Sequence, residues 1–561
     1  MLAQRSASLM IALLLAMHPV AGQASDEPRR IRALGMRAQQ QFESFRRRQL
    51  PVTGGRSGSS DCDVRIGRFC YWHDDADALP AEPERIAAAR VALLRALDSL
   101  ARVNASDEWL VGQRIRYLVE ADRAHDARRA ANECRGTLWW CSALTGFAEH
   151  ALGDYAAADT AFSQALVAMP EAERCKWLDL SDLVPEDYRK EYGAVPCARR
   201  DSVNAHVWWL ADPRWADTGN DLRTEVFARL TMSHLVQQAR SAHDMAWGED
   251  MAELMLRYGW PTAWSRTMPS SVDPTRISVV GHEPSPSFEF MPAGRAIKDA
   301  LRADSANWTP TADRPTTRYA PKYARRFAGV APQVAWFARG DSAAVVVAYE
   351  VGSRDTVFRR DSVTGAVALS RGPTDFAVAQ SGTGARRNAL VLGTRREPAL
   401  VSVEVADSSA GAYGRARFGI APPADSALSD ILLFERGEGL PRDFAAAVGR
   451  ALGTLTVARE REFGLYWELY GNLARSQTVT YSVTVERIGA GWLRRLAERV
   501  RLRDRPQPVR VGFDDHPGVQ NVAARSLFID VSHIPAGRYR LTLTAHSGDV
   551  EARRERVIEV K

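Results

Sequence analysis

Hydrophobic positions change rhythm along the chain. From Pro83 onward, Ile86, Val91, Leu94, Leu97 and Leu100 fall near a three- to four-residue spacing, as a helix that buries one face requires. That rhythm predicts helices to about residue 170. Asn220 or Asp221 then offers an N-cap, and Val226, Phe227, Leu230, Leu235 and Val236 make one apolar stripe of a further helix. Residues 246–250 read as a loop, 253–258 as a strand and 259–261 as a turn. Past Thr316 the code becomes β: residues 345–349, 389–392 and 400–405 predict strands separated by Gly, Asp, Ser and Asn. A second set begins near Asp430, at residues 431–434, 465–470, 478–485, 527–531 and 539–543, several alternating strictly so that one face is wet. Residues 421–425 read as a linker and 492–500 as a short helical insertion. The expected fold class is multidomain α+β: helical repeats first, a small α/β module next, then two β-sandwich domains of the Ig-like kind.

Residues 25–80 are rich in Arg, Gln, Gly and Ser, and the run from Thr53 to Ser60 cannot hold regular structure, so this stretch is expected to be an irregular lead-in. Within the helical part, Gly112, Ala124 and Ala131 recur as Gly146, Ala158 and Ala165, each offset by 34 residues. With Gly153, Tyr155, Phe162 and Pro170 added, the second copy resembles one tetratricopeptide unit, in which small residues let two helices approach, aromatics fill the gap and a proline ends the second helix. The first copy departs from that family at Arg128, where an aromatic is expected. A generic helical hairpin with Ala-rich faces is the alternative reading.

Composition narrows the classes. A chain of 561 residues is too long for one core, and 45% hydrophobic with 25% charged residues excludes wholesale disorder and a polytopic membrane protein. The net charge of +6 is a small difference between 74 basic and 68 acidic residues, and only five of the basic residues are lysines, so no nucleic-acid partner is read from it. Arg5, the apolar run from Leu9 to Met17 and the small residues Gly22 and Ala24 form a secretory signal, with cleavage expected near Ala24. The run is shorter than the roughly 20 residues that span a bilayer, and no later stretch qualifies, so no transmembrane anchor is expected after cleavage. A bacterial protein free in the periplasm or secreted follows. In an oxidising compartment the cysteines are expected to pair with their nearest neighbours, Cys62 with Cys70, Cys134 with Cys141 and Cys175 with Cys197. A zinc site is the alternative, but no Cys-x-x-Cys spacing supports it.

Trp247, Asp250, Tyr258, Gly259 and Pro261 stand at the spacings of a Gly-Trp-x-Thr-Asp motif followed by a Tyr-Gly-x-Pro turn. The stretch resembles the GWxTD domain of secreted bacterial proteins, departing from it at Ala246, Glu249, Met251 and Ala252. Asp212-Pro213-Arg214-Trp215 and Asn220 upstream are similar to that family as well. The resemblance implies a secreted protein with helical repeats before the motif and β domains after it, and it brings no established catalytic residue. The expected division is a signal peptide (1–24), the lead-in (25–80), a disulfide-braced helical domain (81–200), the GWxTD-like module (201–300) and two sandwiches (301–425 and 426–561).

The densest polar cluster is His234, His243, Asp244, Glu249 and Asp250, a set able in principle to bind a metal or move protons. The nine-residue gap between the histidines does not put them on one helix face, and His-Glu-x-x-His is absent. Asp250 is expected to cap the turn before the strand through backbone amides. Residues 514–518, Asp-Asp-His-Pro-Gly, read as a turn between strands. The sequence has neither a Gly-x-Ser-x-Gly elbow nor a phosphate loop, so neither a metal nor a cofactor is expected. Fifteen tryptophans, with pairs at Trp139-Trp140, Trp208-Trp209 and Trp260 with Trp264, suggest either sugar stacking or core packing, and packing is the expectation. The sequence therefore reads as an exported, non-enzymatic interaction or scaffold protein with an envelope protein partner. The alternatives are an envelope-polymer hydrolase built on His234, His243, Asp244 and Glu249, and a glycan-binding protein.

Overall fold

The computed structural model describes residues 21–561 except 54–61, 74–78, 80, 268–277, 284, 312–314, 352–356, 360–362, 383, 385, 425–426, 489–507 and 519. Residues 1–20 of the signal peptide expected at 1–24, the glycine-serine run at 54–60 and the insertion expected at 492–500 lie outside the described residues. No helix among the described residues is long and apolar enough to cross a membrane.

The lead-in expectation is corrected by helix α1 (Ala21–Gln49). Its buried positions, Ile31, Gly35, Gln39, Phe42, Glu43 and Arg46, keep a helical period, but half of them are polar, so a search for an apolar stripe passes over them. Short strands also lie ahead of residue 170, where none was expected: β1 (Val52–Thr53), β2 (Val64–Ile66) and β3 (Phe69–Tyr71). The expected rods follow as α2 (Glu84–Val103), α3 (Glu108–Glu120), α4 (Ala124–Asn132), α5 (Leu138–Leu152) and α6 (Tyr155–Ala168). In α2 the buried face is Ile86, Leu93, Leu94, Leu97 and Ala101, and Val91 is exposed. Helices α5 and α6 pack so closely at Gly146 that a Cβ there would lie 2.8 Å from the Phe162 ring.

Helices α7 (Glu171–Trp177), α8 (Glu186–Gly193), α9 (Cys197–Ala211) and α10 (Asp221–Gln237) continue the layer. Asn220 is the N-cap of α10, accepting from the Arg223 amide at 2.8 Å. Residues 253–258 are a correction: they belong to helix α11 (Glu249–Tyr258), whose buried side chains Met251, Met255 and Tyr258 are four and three apart. The intervening Leu254 and Leu256 are only half-buried, so the unbroken apolar run that suggested a strand does not describe one buried face. Strands β4 (Ala263–Thr267) and β5 (Val279–His282) pair antiparallel, and β1 joins β4 in parallel, drawing the N-terminal segment into this small α/β module.

Two of the expected disulfides are present, Cys134–Cys141 and Cys175–Cys197. Cys70 lies on β3 opposite Arg65 of β2, and its thiol lies beside that of Cys62.

The C-terminal half is built of strands. In the first sheet pair, β6 (Arg326–Gly329), β7 (Gln333–Arg339), β8 (Ser342–Glu350), β9 (Val363–Gly372), β10 (Asp375–Gln380), β11 (Arg387–Arg395), β12 (Ala399–Asp407) and β13 (Ala412–Ile420) form sheets ordered β10-β9-β12-β13-β6 and β11-β8-β7. Val345, Val347 and Tyr349 of one sheet meet Val367, Leu369, Val401 and Val403 of the other. In the second pair, β14 (Leu432–Glu435), β15 (Thr456–Val457), β16 (Phe463–Tyr470), β17 (Val479–Arg487), β18 (Val509–Asp515), β19 (Val522–Ile529), β20 (Gly537–Ser547) and β21 (Val550–Val560) form β14-β16-β19 and β15-β21-β20-β17-β18 around Leu433, Trp467, Tyr481, Val483 and Leu541. The two three-stranded sheets also pack on each other through Ala335, Phe337, Val346 and Ala348 against Leu432, Phe434 and Tyr466. Four sheets are therefore stacked, and in the inner two the strands β7, β8, β14 and β16 are buried on both faces. This is why residues 345–349 form an unbroken apolar run whereas β17 and β20 alternate.

Candidate functional site

The clustered polar residues do not converge. His234 lies against Trp140 at 4.5 Å and Trp139 at 5.8 Å, and burial lowers its pKa. His243 packs edge-on to Trp264 at 4.8 Å and Phe69 at 5.8 Å, with burial pulling its pKa down to about 4 despite a hydrogen bond at the Val279 backbone. Glu249 is exposed on the first turn of α11. Asp250 accepts the Arg68 fork at 2.6 and 2.7 Å, plus the amides of Arg68 and Met251. The hydrogen bonds from Arg68 hold its carboxyl well below the usual range. The expected cap before a strand is thus a tie from a helix N-terminus to a hairpin 182 residues away in sequence. Among the described residues no three His, Cys, Asp or Glu side chains gather in metal-binding geometry.

The motif residues build the seat of that hairpin. Tyr258 stacks on Tyr71 at 3.8 Å, and the Tyr71 hydroxyl accepts from Arg318 Nη1 at 2.9 Å. Gly259 has φ +85°, which turns the chain out of α11 beside the Arg229 guanidinium. Pro261 packs over Gly281, where a Cβ would come within 2.3 Å of its ring, and Trp247 is half-buried on the helical core. Arg68 and Tyr71, which hold the hairpin, carry no signal in the sequence beyond their residue types.

Residues 212–220 are clasped by the first sheet pair. Trp215 stacks on Trp209 with planes 4° apart, and its amide donates to Glu404 of β12 at 2.9 Å. Arg417 of β13 lies 3.8 Å over Trp215 and donates to the Leu210 carbonyl at 2.8 Å. Both tryptophans are buried, so the only coplanar tryptophan pair among the described residues offers no exposed stacking platform. Trp140 and Trp208 are buried as well, and Trp139, Trp260 and Trp264 pack half-buried on the helical core. At residues 514–518, Asp514 accepts from Thr480 and His516 Nδ1 lies 2.7 Å from the Gln477 carbonyl, ties at the β17–β18 end, while Asp515 pairs with Arg525 of β19 in the facing sheet.

One concave site gathers charge. The end of α1 supplies Glu43, Ser44, Arg47 and Arg48, the segment after α10 supplies Arg240, Ser241 and Asp244, and β4 supplies Arg266, around a cavity of about 330 Å³. Asp244, at φ +53°, accepts from Arg47 Nη1 at 2.5 Å and Arg240 Nη1 at 2.9 Å. Arg48 and Arg266 have no carboxylate partner among the described residues, and Arg266 Nε is buried without a hydrogen bond. Behind the cavity, Glu43 accepts from Arg46 at 2.7 Å and from the Tyr117 hydroxyl at 2.5 Å, and Arg46 and Arg116 also reach Glu120. Burial raises the Glu43 pKa, opposed by Arg46 and Arg116. The lining offers cationic forks for an oxyanion and no histidine base beside its two serines. Of the residues singled out in the sequence, only Asp244 lines this cavity.

No known family and no curated protein matches the chain. Among solved structures, the FN1–FN3 domains of chicken CNTN1 align over 44% of this chain and 71% of their own at 12% identity and a TM-score of 0.15. A mutant of Salmonella alpha-2-macroglobulin aligns over 41% and 16% respectively, at 11% identity and a TM-score of 0.12.

Proposed function

We propose that the chain is an exported, non-enzymatic binding protein of the bacterial envelope that holds an acidic partner in the arginine-lined cleft. The observation that carries this reading is the gathering of Arg47, Arg48, Arg240 and Arg266 around one cavity, where Asp244 is the only carboxylate paired to them among the described residues. In this reading α3 to α6 are two tetratricopeptide-like units, residues 201–300 are a GWxTD-like module and the sheet pairs are Ig-like sandwiches. Two disulfides support export, and the 34-residue offset with the Gly146–Phe162 contact supports the repeat. The partner is expected to be an envelope protein with an acidic segment. Immobilised wild type and the Arg48→Glu variant are compared for capture from a periplasmic extract. The reading expects a protein with an acidic segment that the wild type retains and the variant loses; identical captured sets contradict it.

A further inference from the structure

We infer that the cleft takes a dianionic oxyanion of the phosphate-monoester class in preference to a single carboxylate. This rests on the cleft being the binding site. Four guanidinium groups from three segments face one cavity, and Asp244 engages two of them, Arg47 and Arg240, leaving Arg48 and Arg266 unpaired by carboxylates among the described residues. Glu43, the other acid in the lining, is already committed to Arg46 and the Tyr117 hydroxyl. Arg48 and Arg266 therefore present two guanidinium charges with no carboxylate partner among the described residues, which suits a dianion. Planar arginine forks fit the oxygens of a phosphoryl group.

The net positive lining sets the selectivity, because it attracts a dianion about twice as strongly as a monoanion at the same distance, and Asp244 only moderates that field. A dianion brings enough charge to bridge Arg48 and Arg266 while Asp244 keeps its own partners. The cavity of about 330 Å³ leaves room for an organic body on the phosphoryl group, whether a free monoester or a lipid headgroup.

The test is titration calorimetry of the purified full chain with glycerol 2-phosphate and with acetate, at pH 7.5 and constant ionic strength, where a monoester with a second pKa of about 6 is a dianion. Vesicles of phosphatidic acid in phosphatidylcholine form a parallel arm. The monoester is expected to bind about tenfold or more tighter than acetate, a difference on the scale of one charge-assisted interaction. Asp244→Asn, a residue type that tolerates the left-handed backbone there, removes a repelling charge and is expected to widen that preference, while Arg48→Gln and Arg266→Gln each weaken the monoester. Binding to the vesicles but not to the soluble monoester also supports the phosphoryl assignment and identifies a headgroup as its source. Equal binding of acetate and monoester, a preference narrowed in Asp244→Asn, or a monoester affinity unchanged in both arginine variants overturns the proposal. If neither the monoester nor the vesicles bind, the phosphoryl assignment falls. The acidic-partner reading then survives if Arg48→Glu still abolishes capture of an acidic protein, and falls with it if capture is unchanged.

Discussion

His243 is held between Trp264 and Phe69 with its pKa pulled down to about 4 by burial, so the fold accommodates the neutral ring. The unfolded chain takes up that proton near pH 6.5. Between pH 6.5 and 4 the unfolded state therefore binds more protons, and stability falls as pH falls; above pH 7 the contribution is complete. From pH 7 to 4.5 the wild type should lose roughly 2 kcal/mol more than His243→Phe, since each tenfold difference in proton affinity between the folded and unfolded chains is worth about 1.4 kcal/mol. Denaturant melts of the two proteins across that range check it, and parallel losses contradict the assignment. At Gly146 the constraint is steric: Gly146→Val drives a side chain into Phe162 and should cost about 1–3 kcal/mol, measured as a lowered denaturant midpoint. Composition at these positions was legible, but purpose was not. His234, His243 and Asp250 look like chemistry in a row of letters, yet each is occupied by partners that lie far away in sequence, among them Trp140, Phe69 and Arg68.

Elements were legible where burial is apolar and one-sided. The alternating strands β17 and β20, the stripe of α10 and the Asn220 cap follow from their residues. Helix α1 was not legible because its inner face carries Gln39, Glu43 and Arg46, whose burial is offset by Tyr117, Arg116 and Glu120 on another helix. Helix α11 was misread because Leu254, Met255 and Leu256 are consecutive, a run that by itself does not separate helix from strand. The helical layer is stapled between α7 and α9 by Cys175–Cys197. Replacing both cysteines by alanine should lower stability by about 2–4 kcal/mol, and a reducing agent, which also opens Cys134–Cys141, should lower that of the wild type at least as far. A reductant-insensitive melting midpoint contradicts this.

At the scale of the whole molecule, the stacking of the inner sheets joins the two sandwiches through Val346, Ala348, Phe434 and Tyr466, so they should unfold together. Ala348→Glu places a charge in that dry interface and should destabilise both sandwiches, with one calorimetric transition shifting as a unit; a shift in only one of two transitions contradicts the coupling. The Arg417–Trp215 and Glu404–Trp215 contacts tie the helical layer to the first sandwich in the same way. The cleft could not be read from sequence, because Arg47, Arg48, Arg240 and Arg266 come from separate segments of a chain already rich in arginine, and only the pairing of β1 with β4 brings the last of them near α1. The most direct test of its role is fluorescence anisotropy of a labelled Glu-rich decapeptide with the wild type and with Arg48→Glu/Arg266→Glu, across a range of salt. The account predicts wild-type binding that weakens steadily as salt rises and falls about tenfold or more in the double variant. Equal, salt-independent affinity for the two proteins would contradict it.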